Sequence, residues 1–375
     1  DADAATTTRY SGAGQVPPVA AGTGASTTAA PSASERAYGT QAGGPEIAAT
    51  DQAMGKHMTE NMGRANMLPG AGGQYDVHHG IHYSYNYEYE CQQSGQPQLW
   101  KDQYRQGHTE APGFIQPYES NNWMDWELKK GQSASKGIKD WLKGATVAEC
   151  LSSVIAMEID TLRASIGDKK FDQMFGSADP KEDAAVTHRM HVSWQMGQTP
   201  VANFMKATEL AQTANKNGGQ FGTVTPAEMD AELKPGQWYY FYNHPMYLLK
   251  HPGGAWQGEN ALYMGKNEAG ERVWSGLGAT KTEDAMVDEM VSAYNADRDK
   301  EDQRQMKESK ILKDDGTYAD PTYNPAAGKF PPKVTKKQIL ESQVFQIGNT
   351  QRKGGFMATA GQELDAKKVE QTRDQ

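Results

Sequence analysis

Two kinds of apolar period divide this chain, and most of its aromatic and long aliphatic residues lie beyond Tyr75. The stretch TVAECLSSVIAMEIDTLRASIG places Val154, Ile155, Ile159, Leu162 and Ile166 at helical spacing, and Gly167 ends the run. Thr146 reads as its N-cap, with Glu149 three residues on as in a capping box. A helix buried on one broad face is the expectation. A second helix is predicted over 168–175, a third over 200–214 and a fourth over 282–299, the last from Met286, Met290 and Tyr294. Beyond Pro235 the pattern turns to strands. QWYYFYNHP is an aromatic run bounded by PG and HP, and two further strands, 259–264 and 272–275, are joined by the turn-forming KNEAGE. Three consecutive antiparallel strands make a meander. Alternation over 82–90 in the Tyr/His-rich segment suggests one more strand, with Tyr83, Tyr85, Tyr87 and Tyr89 along one face. The segment 99–131, with Trp100, Trp123 and Trp126, reads as irregular but packed.

Composition sets the limits of this folded unit. Of the 375 residues, 39 are Gly and 18 Pro, and Ala, Gly, Thr, Ser and Pro dominate the opening stretch, whose apolar content is too sparse to repay chain entropy. Residues 1–74 are therefore read as a largely disordered leader, with a short helix near 48–67, and residues 75–303 as one globular domain. Residues 304–375, charged and proline-punctuated, are read as a C-terminal extension over the surface. No internal repeat is visible.

Charge excludes one class of partner: 38 Lys and Arg against 47 Asp and Glu give a net charge of −9, with no basic run to follow a phosphate backbone. No nucleic acid is expected. No apolar stretch approaches the roughly 18 residues of a membrane span, and a charged-then-apolar leader is not seen, so a soluble chain with no membrane partner is expected. The chain begins at Asp1, which reads as a processed product or a piece of something longer. A low-complexity stretch before a catalytic domain fits a secreted, coat-associated or delivered effector protein. Two cysteines, Cys91 and Cys150, are too few for a disulfide framework.

Cys150 carries the first candidate chemistry, because it lies at the start of the buried helix. A helix N-terminus lowers a thiol's pKa and presents backbone N–H groups to an oxyanion. Glu259 opens a predicted strand that puts Glu259, Ala261 and Tyr263 on one face, where a carboxylate could pair with the thiol. His244 and His251, in the loop before it, are candidate bases. An inert buried cysteine and loop histidines without a role are the competing readings. His188 and His191, three residues apart, could share a helical face. Asp76, His78, His79 and His82 have the residue types of a metal site but no standard zinc spacing, and Cys91 adds little, so no metal and no cofactor are expected.

Taken together, several blocks resemble a known family. AECLSSVIAMEIDTLRASIGDKKFDQMFG, then GQWYYFYNHP, WQGENALYMG and VWSGLGA resemble the spore-coat type bacterial protein-glutamine gamma-glutamyltransferases, transglutaminases with a papain-related core. The resemblance runs over residues 144–279 and rests on Glu149-Cys150, Ile166-Gly167 with Phe171 and Phe175, the strand residues Tyr240 to Asn243, and the W-x-GEN motif from Trp256 to Asn260. It implies an α+β fold of papain-like type, with the nucleophile at the N-terminus of a buried helix packed on an antiparallel sheet. Cys150 would be the nucleophile, Glu259 its partner in a Cys-Glu dyad, and Glu149 a second carboxylate controlling the thiol and access to it. Trp256, Asn260, His244 and His251 are candidate base or substrate contacts. Where the family has a histidine before Gly-Leu-Gly, this chain has Ser275, which would weaken activity or pass the task to His244 or His251. The implied reaction is acyl transfer from protein glutamine side chains through a Cys thioester, giving isopeptide crosslinks with lysine or deamidation with water. A papain-related amidase or peptidase, or a decayed structural protein, are the alternatives.

Overall fold

In the computed structural model, residues 44–65, 80–83, 95, 107–116, 125–193, 195–218, 222–276, 279–342, 345–347, 350–352 and 354–375 are described. Helices α1 (Asp51–Ala65), α2 (Ala134–Lys143), α3 (Cys150–Ile166) and α4 (Asp168–Phe175) precede most of the main sheet, and α5 (Glu283–Asn295), α6 (Lys300–Glu308) and α7 (Ala366–Asp374) follow its meander. The sheet contains β1 (Met205–Ala207), β2 (Trp238–Tyr242), β3 (Gly258–Lys266), β4 (Arg272–Gly276), β5 (Ala279–Thr282) and β6 (Gly355–Leu364). Its spatial order is β5, β4, β3, β2, β6, β1, antiparallel throughout. The expected α+β class and order of parts are observed: a cysteine opens a buried helix that packs against β3, and an antiparallel meander follows it. In place of a helix over 200–214, a 3-10 turn at Pro200–Phe204 leads into β1 and then a helix at Glu209–Gly218.

Strand alternation gives the sheet two apolar faces. Trp238, Leu262 and Leu364 join Val154, Ile155 and Ile159 of α3 in one core. Tyr239, Phe241, Ala261, Tyr263 and Trp274 join Met286, Met290 and Tyr294 of α5 in the other. Helix α3 is therefore not buried on one face only. Every residue from Ser152 to Ile166 is buried, because α1, α2, α4 and α7 surround the sides that the sheet leaves open.

The start of α3 also differs from the capping-box expectation. Residues Thr146–Ala148 form a strand between Ile81–Tyr83 and His108–Thr109, and all three are buried. The Thr146 hydroxyl donates to the Trp141 carbonyl at 2.9 Å and meets the Thr109 hydroxyl at 2.9 Å, so it is spent on the strand. Glu149 is the N-cap instead, and Gly167, at φ 90°, ends the helix where the pattern placed the stop.

Both segments assigned to flanks enter the domain. Helix α1 buries Met54, Met58 and Met62 against α3, and β6 occupies an interior position of the sheet between β2 and β1. The unit is thus wider than residues 75–303. Between them, residues 309–342 run largely over the surface, with Val334 and Ile339 inserted into the far core and Phe330 buried under Arg298.

Candidate active site

At the N-terminus of α3, the side chain of Glu149 turns back over the first helical turn. Its Oε2 accepts from the Leu151 N–H at 2.8 Å, and its Oε1 accepts from the Ser152 N–H at 2.5 Å and the Ser152 hydroxyl at 2.7 Å. These donors would otherwise lack an intrahelical partner. The Cys150 thiol also donates to Glu149 Oε2, at a sulfur to oxygen distance of 3.6 Å. From the sheet, Asn260 Nδ2 donates to Cys150 Sγ at 3.3 Å, and Trp238 Nε1 donates to Asn260 Oδ1 at 3.0 Å.

Burial pushes the Cys150 thiol well above its usual range, the carboxylates of Glu259 and Glu149 push it further, and only the bonds from Asn260 oppose them. The expectation of a thiol acidified by the helix end is thereby reversed. Glu149 has filled that end with negative charge. At rest Cys150 is a protonated thiol that donates to a carboxylate. The Leu151 and Ser152 N–H groups, expected to hold an oxyanion, are taken by the same side chain.

Neighbouring residues of β3 leave the strand on opposite sides. Asn260 faces α3 and the sulfur, as Leu262 faces the α3 core. Glu259 is fully buried beside Phe241 in register, and its carboxylate lies against Gly276. A Cβ at position 276 would sit 2.0 Å from Glu259 Oε1, so glycine there makes room for the carboxylate. The start of α3, with Glu149 at its cap and Cys150 at its first position, thus meets the Glu259 and Asn260 end of β3, and the charge of Glu259 reaches the thiol.

The candidate histidines are engaged elsewhere. His251 is buried with Nδ1 2.9 Å from Asp302 Oδ2 and Nε2 3.0 Å from the Tyr294 carbonyl, which ties both ring nitrogens to α5 and α6. His244 Nδ1 accepts from the Met246 N–H at 3.1 Å, its ring packs on Tyr294 at 5.1 Å, and burial lowers its pKa. Both gather around Tyr294, and neither contributes to the interactions of the thiol. Ser275 is buried opposite Leu262 on β4 and accepts from the Thr280 hydroxyl at 3.3 Å. Trp256, half-buried, accepts at its carbonyl from Asn243 Nδ2 at 2.9 Å, and the Lys281 amine lies 5.7 Å from its ring centre. His191 lies on a strand, paired with Asp125, rather than on a helical face with His188.

Trp238 was not among the sequence candidates. Its tie to Asn260 is a diagonal cross-strand contact, invisible until the register of β2 on β3 is known. Asp76, His78, His79, Cys91, Tyr85, Tyr87, Tyr89, Trp100 and Trp123 lie outside the described residues; His82 is buried on the strand Ile81–Tyr83. No helix among the described residues is long and apolar enough to cross a membrane.

The model of the protein-glutamine gamma-glutamyltransferase family matches residues 116–320, more than half of the chain, a span that includes every element of this site. No curated protein sequence matches the chain. Among solved structures, a transglutaminase from Geobacillus stearothermophilus without its C-terminal extension is similar at 12% identity, over 65% of this chain and 84% of its own. Its TM-score is 0.38, a likeness too loose to place any residue.

Proposed function

The chain belongs to the protein-glutamine gamma-glutamyltransferase family, and from that premise we propose that Cys150, Glu149 and Glu259 carry its acyl transfer. Transfer from the side-chain amide of protein glutamines is the activity of that family, and protein glutamine and lysine side chains are its substrates. The residue roles rest on one observation: the half-buried thiol that opens α3 lies among two carboxylates and one amide.

A protonated thiol must lose its proton as it attacks. Glu149 Oε2, 3.6 Å from Sγ, accepts it while sulfur bonds to the carboxamide carbon and the carbonyl pair moves to oxygen. When that pair returns, the carbon–nitrogen bond breaks, and the nitrogen leaves as ammonia with the proton that Glu149 took from sulfur, the Glu259 carboxylate being left to take the proton of the incoming amine and return it to sulfur. A lysine amine then attacks the thioester, forming an isopeptide and restoring the thiol; water in its place leaves glutamate. Holding the thiol neutral until a substrate is bound also limits wasteful oxidation. A net charge of −9 supports no nucleic-acid partner, and a nucleophilic thiol supports a setting in which Cys150 stays reduced.

The test is amine incorporation. A glutaminyl peptide and a labelled primary amine should give labelled product and ammonia with the unaltered chain, and neither with Cys150→Ala. Ammonia without label would assign deamidation, and no product of either kind would refute the reading.

A further inference from the structure

We infer that Asn260 is the oxyanion donor of this site and that Trp238 is the residue that aims it. The inference rests on Cys150 as the nucleophile. A tetrahedral intermediate on Sγ carries its negative oxygen one bond away from the carbon attached to sulfur, and that oxygen needs donors at about 3 Å. Two donors of the first helical turn, the Leu151 and Ser152 N–H groups, are occupied by the Glu149 carboxylate. Asn260 Nδ2, 3.3 Å from Sγ, reaches the same volume from the sheet side.

The orientation of that amide follows from chemistry. An indole N–H only donates, so the Asn260 atom that faces Trp238 Nε1 at 3.0 Å is the carbonyl oxygen. The amide nitrogen is left facing the sulfur with its hydrogens. Both side chains are buried, Asn260 and Trp238 each at 8% exposure, so the pair is held by packing before substrate arrives. Such preorganisation is what makes an oxyanion donor effective, since no reorientation is needed as charge develops. In the resting enzyme the same hydrogen opposes the upward push on the thiol. In the intermediate the amide stays in place: as sulfur bonds to carbon, the carbonyl pair settles on oxygen, and the Nδ2 group donates a hydrogen bond to that oxygen.

Two reactions of Cys150 separate this role from mere packing. Alkylation by iodoacetamide displaces iodide at a saturated carbon and forms no oxyanion. Acylation by p-nitrophenyl acetate passes through one, and releases p-nitrophenolate as the thioester forms. In the full chain, Asn260→Ala should lower the burst of acylation by roughly 100-fold, while alkylation at the same pH changes by less than about fivefold. Trp238→Phe keeps an aromatic ring but removes the N–H, and should lower the acylation-to-alkylation ratio by about three- to tenfold through a freed amide. Should Asn260→Ala lose its fold by circular dichroism, Asn260→Leu, close in shape, carries the same readout. The donor role is overturned if acylation and alkylation fall in proportion, if neither falls, or if the unaltered chain is not acylated. A Trp238→Phe ratio equal to that of the unaltered chain overturns the positioning role of Trp238. A burst without amine incorporation or ammonia release would refute the proposed transfer and leave the Asn260 assignment standing.

Discussion

The two ends of helix α3 treat buried charge in opposite ways. At its C-terminal end Arg163, almost fully buried, forks onto Asp160 at 2.7 Å, Asp168 at 2.7 Å and Glu46 at 2.9 and 3.1 Å. His57 adds a bond to Asp160 at 2.9 Å, and Asn61 another at 2.9 Å. There the hydrogen bonds and charges of His57, Lys139 and Arg163 outweigh burial and hold the carboxylates below their usual range, with Asp160 at about 2. At the N-terminal end the charges that act on Cys150 are both negative, and its thiol is held above its usual range. One end uses charge to dock α1 onto the core. The other uses it to keep a thiol in its neutral form.

Removing the cation should break the first end outright. Arg163→Met leaves three carboxylates facing one another with only His57 and Lys139 nearby, and unfolding free energy should fall by about 3–5 kcal/mol in urea titrations. Arg163→Lys should recover little, because a point charge cannot fork onto three partners. Cys150→Ser, at the other end, should shift stability by less than about 1 kcal/mol. Equal losses from the two ends would erase the contrast.

Acid should reveal the same asymmetry. Asp160 has a folded pKa near 2 against an ordinary value of 3.8, so its ionised form is stabilised by folding. That stability is present above about pH 4 and is lost as pH falls toward 2, amounting to about 2 kcal/mol. Asp160→Asn should therefore be less stable than the unaltered chain at neutral pH, and the gap should close below pH 3. A gap that persists at pH 2 would show that the carboxylate acts through packing rather than charge.

The α3 stretch and the meander were legible because their periods are local: Val154 to Ile166 repeat every three to four residues, and Arg272–Gly276 follows β3 across one short turn. What escaped reading depends on partners far along the chain. GFMATAGQEL carries small and polar residues, and its register on β2 is interrupted between Met357 and Gln362, so β6 lacks the alternation of an interior strand. Thr146 and Glu149 satisfy a capping box in sequence, but strands some 40 and 60 residues upstream claim Thr146. In the site, Cys150 and Glu259 are legible from residue type and order, whereas Glu149 and Asn260 enter through the family resemblance. Nearness to Glu259 in sequence says nothing of Asp302, which holds His251 from α6.

The smallest effect is the sharpest test of the N-terminal end. Burial is the larger cause of the raised thiol and survives any substitution of Glu259, whereas the charge of Glu259 can be removed alone. Glu259→Gln should bring the thiol down, so more of it is thiolate at pH 8 and iodoacetamide should alkylate Cys150 several-fold faster. The same variant should slow amine incorporation, since an amide cannot take the proton of the attacking amine. Faster alkylation with slower transfer would show that the carboxylate restrains the resting thiol and serves the reaction. Slower or unchanged alkylation would mean that its charge does not reach the sulfur, and the contrast between the two ends would then rest on burial alone.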